Sequence, residues 1–339
     1  MDISSFNPDF KKGAGSSSPA DWLAELRKGS KQALAKAITL TESTKEDDRQ
    51  LARTLLQQCE REGRSLRIGI TGVPGVGKST FIDQLGIYLI TQKNRKVAVL
   101  AVDPSSGRSG GSILGDKTRM EKLVVNDAAY IRPIPSRQEL GGVASGLADA
   151  IVFSEEAGFD VVFVETVGVG QSETEVAHLV DIIIFLLLPN SGDDLQGIKR
   201  GIMEEVHLVV VNKSEEDNIV QARKTKMLLD TVLQIMPGPI EGEKREVFLC
   251  SAKANSGIAE LWQETEDLKN RMMKSGWLEE NRKQQKVNRL RSYLDTLLKN
   301  SFYHHPSVIA ALEKYTDEIE SGMIDAHKAA EAIFREFRK

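Results

Sequence analysis

The residues from Gly72 to Thr80 have the types and spacing to hold a phosphate chain. Gly72-Val-Pro-Gly-Val-Gly-Lys-Ser79 fits the pattern G-x-x-x-x-G-K-[ST] at every fixed position. Gly72, Gly75 and Gly77 let consecutive backbone N–H groups, including those around Val76, curl round phosphate oxygens without Cβ clashes. The helix expected to start at Lys78 adds the partial positive charge of its N-terminus. Lys78 has the reach for the β- and γ-phosphates, Ser79 is placed to ligate Mg²⁺, and Thr80 completes the loop.

The same chemistry needs carboxylates to hold the metal and the attacking water. Glu165 ends the apolar run VVFVE (161–165) and opens Glu-Thr-Val-Gly168, which resembles the D-x-x-G element of GTPases with Glu in place of Asp. The Gly168 N–H is then a γ-phosphate donor. Asp103 ends VAVLAV (97–102) and begins DPSSGRSGGSILGDKTRM (103–120), a Gly/Ser-rich segment able to order around a γ-phosphate and relax after hydrolysis. Asp103 and Asp116 are candidate metal or water ligands, with turn or helix capping as the plainer role. Gln171 follows Gly168 by three residues, too far for a close analogy with the water-positioning Gln of Ras-like proteins.

Base choice is written in two further loops. Asn212-Lys213-Ser214-Glu215 follows the strand-like HLVVV and resembles the N-K-x-D guanine element. There the carboxylate accepts from the guanine N1–H and 2-amino group, a pair that adenine cannot donate. Glu215 is one methylene longer than the usual Asp but keeps the acceptor fork, and Asp217 lies two residues on. Ser251-Ala252-Lys253 follows EVFLC (246–250), as the S-A-K loop does whose backbone contacts guanine O6. Together they make GTP, with GDP as product, the expected nucleotide over ATP.

These loops need rigid elements to position them. Strand-like runs at 66–71, 97–102, 129–134, 161–165, 181–188, 207–211 and 246–250 alternate with helical stretches. That pattern gives an α/β fold, a P-loop NTPase with a mostly parallel central sheet. Only the link QKNRK joins the helix from Lys78 to VAVLAV. The strand ending at Asp103 is therefore expected parallel to the one ending at the loop, as in the signal-recognition and MinD type and unlike Ras-like GTPases. Helical segments flank the sheet. The reading is a disordered tail over 1–18, a helical region over 19–63, the GTPase domain over 64–265 and a helical region over 266–339. Val287, Leu290, Leu294 and Leu297 form one apolar stripe in the last region; Val308, Ala311, Leu312, Tyr315 and Ile319 form another. They fit either a cap on the same chain or a dimerisation arm.

Composition narrows the partners. With 339 residues and a net charge of −4 the chain has no global basic footprint, so nucleic acid is not expected. The most apolar run, Ile182 to Leu188, is far short of the roughly 20 residues a membrane helix needs, and no apolar leader opens the sequence. No membrane association is expected and the cytoplasm is the expected compartment. Cys59 and Cys250 are far apart, and the five histidines form no zinc-ligand pattern.

GVPGVGKST, VDPSSGRSGGSILGDKTRM, YIRP, LGGV, ETVGVGQSE and LQGIKRG, in this order, resemble the MeaB/ArgK family of P-loop GTPases over roughly residues 20–339. The resemblance implies a GTP-hydrolysing chaperone that gates adenosylcobalamin delivery to methylmalonyl-CoA mutase or a related acyl-CoA mutase and protects it. It also implies a homodimer through the C-terminal helices and a turnover accelerated by the mutase. It carries Lys78 and Ser79 over as Walker residues, Asp103, Asp116 and Glu165 as Mg²⁺ and switch acids, and Asn212 and Lys213 as the base-binding pair; Glu215 departs from the family's Asp. Asn190 to Gly201 matches a mobile element that holds Lys199 and Arg200; a solvated helix start is their plainer role, and Lys199 is the candidate cation for the γ-phosphate. Two other readings stand beside it. A nickel-insertion GTPase would need a Cys/His site that the sequence lacks, and a transport-associated ATPase or kinase would prefer ATP. The cobalamin motif Asp-x-His-x-x-Gly is missing, so that cofactor is expected on the partner.

Overall fold

The computed structural model describes residues 18–43, 45–103, 119–135, 142–166, 172–189 and 200–338. Three helices come first: α1 (Pro19–Arg27), α2 (Lys31–Thr41) and α3 (Glu46–Gln57). Then follow β1 (Leu66–Gly72), α4 (Lys78–Lys93), β2 (Val97–Asp103), α5 (Glu121–Val124), β3 (Ala129–Pro135), α6 (Gly142–Glu156), β4 (Val161–Glu165), α7 (Ser172–Ala177) and β5 (Ile182–Leu187). The chain continues through α8 (Arg200–Glu205), β6 (Leu208–Val211), α9 (Ile219–Ile235), β7 (Val247–Leu249) and α10 (Ile258–Lys274). It closes with α11 (Trp277–Tyr303), α12 (Pro306–Glu320) and α13 (Ala326–Phe337).

Among the described residues the strands form one seven-stranded sheet in the order β3-β2-β4-β1-β5-β6-β7, with every pair parallel. The strand ending at Asp103 does run parallel to β1, with β4 inserted between them. Strand residues split between two cores with period two. Ile182, Ile184 and Leu186 of β5 face α4, α5 and α10, while Ile183, Phe185 and Leu187 face α6, α7 and the N-terminal helices. Burial on both faces is why β5 reads as an unbroken apolar run. Each fully buried Ile or Leu contributes about 1.5–3 kcal/mol. No helix among the described residues is long and apolar enough to cross a membrane.

Ion pairs fix α11 to the N-terminal end of the sheet, opposite the phosphate loop. Arg282 grips the fully buried Asp181 through Nε and Nη2, at 2.8 and 2.7 Å. Asp181 also accepts from the Arg67 backbone N–H of β1. The Arg67 guanidinium donates twice to Glu155 of α6, at 2.9 Å each, and once to Gln285 of α11. Gln285 donates onward to the Val180 carbonyl. Removing one partner of such a pair leaves a buried charge at a cost of about 3–5 kcal/mol, so these contacts specify one seating for α11.

His207, just before β6, is buried, and its Nδ1 accepts the Ile183 N–H of β5 at 3.2 Å. Burial pushes its imidazole down to about 4, although Asp181 pulls the other way. The unfolded chain therefore binds the extra proton between about 4 and 6.5. Stability is expected to fall as pH drops through that window, by roughly 3 kcal/mol at most. Denaturant titrations at stepped pH check this, and His207→Asn should lose that part of the slope.

Candidate nucleotide site

The loop between β1 and α4 begins where two backbones touch. Gly72 has φ +147°, and a Cβ there would be driven into the Leu186 carbonyl of β5. Gly77 caps α4 in the left-handed region, with φ 92°. A side chain at Gly77 would press on the Asn212 carboxamide at 3.2 Å. The glycine requirement is thus steric at both ends of the loop.

Inside the loop, Lys78 and Ser79 are both buried. Lys78 Nζ donates to the Gly72 carbonyl at 2.9 Å, folding the ammonium across the loop mouth. Ser79 Oγ donates to Glu165 Oε1 at 3.2 Å, so the end of β4 and the first turn of α4 meet here. Next to Glu165 the Thr166 hydroxyl is buried without a hydrogen-bond partner among the described residues. A hydroxyl, a carboxylate and this orphan oxygen are the hard donors that suit Mg²⁺ and its waters, so the residues fit that ion. Thr80 is exposed at the loop's outer edge.

The base loops lie beside the phosphate loop and are tied to it. Asn212 Nδ2 donates to the Val76 carbonyl at 2.9 Å, and its Oδ1 accepts from the Ala252 N–H at 3.4 Å. Lys213, held at φ 58°, sends Nζ to the Gly75 carbonyl at 2.9 Å. Ser251 Oγ donates to Glu215 Oε1 at 2.8 Å and accepts from the Ala254 N–H. Burial pushes the Glu215 carboxyl up, but the Ser251 bond, the backbone, Asn218 and the exposed Lys253 ammonium outweigh it. The group is held below the usual Glu range and is anionic at neutral pH.

A cleft of about 500 Å³ joins these pieces, lined by Gly77, Thr80, Asn212, Lys213, Glu215 and Lys253 among others. Asp83, Gln84, Arg119, Glu121 and Lys122 also line it and were not expected from the motifs. Thr80, Asp83 and Gln84 lie three and four residues apart on α4, a spacing that puts them on one face and was available in the sequence. Asp83 accepts from the Leu123 N–H at 2.8 Å, and Lys122 donates to Gln84 at 2.7 Å. A Cβ on Gly86 would crowd Leu123 at 2.8 Å, so α5 sits hard against α4. The residues just after the Gly/Ser-rich segment are therefore fastened to the helix that starts at the phosphate loop.

Of the remaining candidates, Asp103 closes β2, and its side chain lies outside the described residues, as do Asp116, Gly168, Gln171 and Lys199.

The chain is similar to known proteins. The solved structure named LAO/AO transport system kinase superposes with a TM-score of 0.72 at 33% identity, covering 96% of this chain and 99% of that one. GTPase ArgK of Escherichia coli (strain K12) is 44% identical over 285 residues, 84% of this chain and 86% of that protein. The mitochondrial methylmalonic aciduria type A homolog of Mus musculus is 41% identical over 324 residues, 92% of this chain and 78% of that protein. Residues 34–307 match the family described as Methylmalonyl Co-A mutase-associated GTPase MeaB, and the chain belongs to that family.

Proposed function

We propose that the protein hydrolyses GTP to GDP and phosphate, and that this cycle gates the delivery of adenosylcobalamin to an acyl-CoA mutase, methylmalonyl-CoA mutase first, and protects the loaded enzyme. The observation that carries the nucleotide half is the anionic Glu215 fork, set by Ser251 and joined through Asn212 to the phosphate loop. The family's description and the name of the mouse relative support the mutase half.

In this reading Glu215 accepts from the guanine N1–H and 2-amino group, and the backbone at Ala252 and Lys253 meets O6. Gly72, Gly75, Val76, Gly77 and Thr80 offer main-chain donors to the phosphates. Lys78 exchanges the Gly72 carbonyl for β- and γ-phosphate oxygens. Ser79 and Glu165, with Asp103 and Asp116 as further acids, would hold Mg²⁺, which would neutralise negative charge on the β- and γ-phosphates. The Gly168 N–H reads the γ-phosphate, and Lys199 supplies a cation when the partner docks. The transport-kinase reading suggested by the name of the structural neighbour needs ATP, whose base lacks the N–H pair for Glu215.

The division at 19–63, 64–265 and 266–339 belongs to the same proposal, with the last region joining two copies. Two features support it. The α12–α13 hairpin has its own small core around Val308, Ala311 and Ile333. Leu290, Leu294, Leu297 and Leu298 of α11 are between 49% and 67% exposed. The protein is proposed to act in the cytoplasm, without nucleic acid or membrane.

GTP turnover of the pure protein, measured with and without the methylmalonyl-CoA mutase of the same organism, tests the proposal. A rise of at least about tenfold is expected. An unchanged rate would remove that mutase as the client while leaving the nucleotide site standing. Glu215→Ala should weaken GTP binding by about tenfold to a hundredfold, because it deletes a charged acceptor of two hydrogen bonds. Calorimetric titration reads this directly, and an unaltered affinity would place the base elsewhere.

A further inference from the structure

A cavity of about 370 Å³ lies apart from the nucleotide cleft and shares no lining residue with it. It is partly open to solvent and is lined by the end of α2, one side of α3, the end of β3, and α6 and α11. At ~30 Å³ per water it has room for about a dozen non-hydrogen atoms. Its size falls in the range of small-molecule sites. Ala52, Leu56, Ile134, Pro135 and Leu297 supply apolar wall.

The polar groups are few and unequal. Arg49 and Asn300 both line the cavity, and Arg49 Nε and Asn300 Oδ1 are buried atoms with no hydrogen-bond partner among the described residues. Leaving each unmade costs about 1–3 kcal/mol, so a ligand that pairs them is favoured. The two acids on the wall are already engaged. Glu42 is paired with Arg132, and Asp149 accepts the Tyr293 hydroxyl. Arg49 Nη2 is oriented by Glu46 at 2.8 Å, and Arg53, also on the wall, pairs with the same Glu46. Arg49 and Arg53 thus bring two guanidinium groups to the cavity wall with Glu46 as their shared acid.

We propose that this cavity binds a small apolar monocarboxylate, its carboxylate on Arg49 Nε and its hydrocarbon against Leu56, Ile134, Pro135 and Leu297. Asn300 takes the second polar contact. Rotated by a half turn, its carboxamide presents Nδ2 to a carboxylate oxygen, since the two amide ends are interchangeable in shape. The occupant touches the end of β3, where Pro135 stands in register with Asp103 of β2.

The test uses the full chain and hexanoate as the probe, with hexylamine and hexanamide beside it, followed by calorimetry and ligand-observed NMR. One hexanoate per chain is expected, with a Kd below about 10 mM. Arg49→Gln should weaken it by about tenfold or more, and Ala52→Phe, which fills the cavity, should abolish it. Cooperative thermal unfolding of each variant checks the fold. Should Ala52→Phe fail to fold, Arg49→Gln decides alone. No hexanoate binding, binding indifferent to Arg49→Gln, or hexylamine or hexanamide binding as tightly as hexanoate would overturn the proposal.

Discussion

The Asn212 carboxamide donates to the Val76 carbonyl in the phosphate loop and accepts from the Ala252 N–H in the loop after β7. One buried side chain therefore sets the distance between the loop proposed to meet phosphate and the loop proposed to meet the base. Its own backbone N–H is tied to Leu187 of β5, so the link stands on the sheet. Gly77 sits at φ 92°, and this carboxamide passes within 3.2 Å of where a Cβ would be, so a side chain there would be strained and crowded. Lys213, one residue on, adds a second tie through the Gly75 carbonyl. A site pre-positioned in this way loses less ordering entropy on binding than three separate loops would.

The sheet carries a different task at each end. Lys78 at the start of α4, Glu165 at the end of β4, and Asn212 and Ser251 just after β6 and β7 gather at the C-terminal ends of the strands, as expected for an open parallel sheet. At the N-terminal ends, Arg67, Asp181 and Glu155 clamp α11 through Arg282 and Gln285. β1 belongs to both, with Arg67 near its start and Gly72 at its end. The long C-terminal helix is thus fixed to the same strand that delivers the phosphate loop.

Much of this was legible in the sequence because burial on both sheet faces forces continuous apolar runs, and the seven runs are the seven strands. The glycine–lysine–serine spacing is legible for a steric reason that Gly72 and Gly77 make concrete. The strand order was not legible. An alternating core pattern says which face a residue takes but not which strand lies beside it, so β4 between β1 and β2 carries no local mark. The α11 clamp was equally hidden, since Arg67 and Gln285 are more than two hundred positions apart in the chain. Asp83 and Gln84 were missed because on α4 they read as ordinary helix residues until Leu123 and Lys122 fold onto them. Glu215 reads as a departure from pattern, and it is the Ser251 hydroxyl that shows how the longer side chain is held.

Asn212, Glu215 and the phosphate loop are proposed to form one guanine-selective site. Calorimetric titration of the nucleotide-free protein with GTP and with ATP, each with Mg²⁺, tests it most directly. One GTP per chain is expected, with ATP weaker by about a hundredfold or more, since adenine leaves the Glu215 acceptors unpaired. ATP binding as tightly as GTP would contradict it.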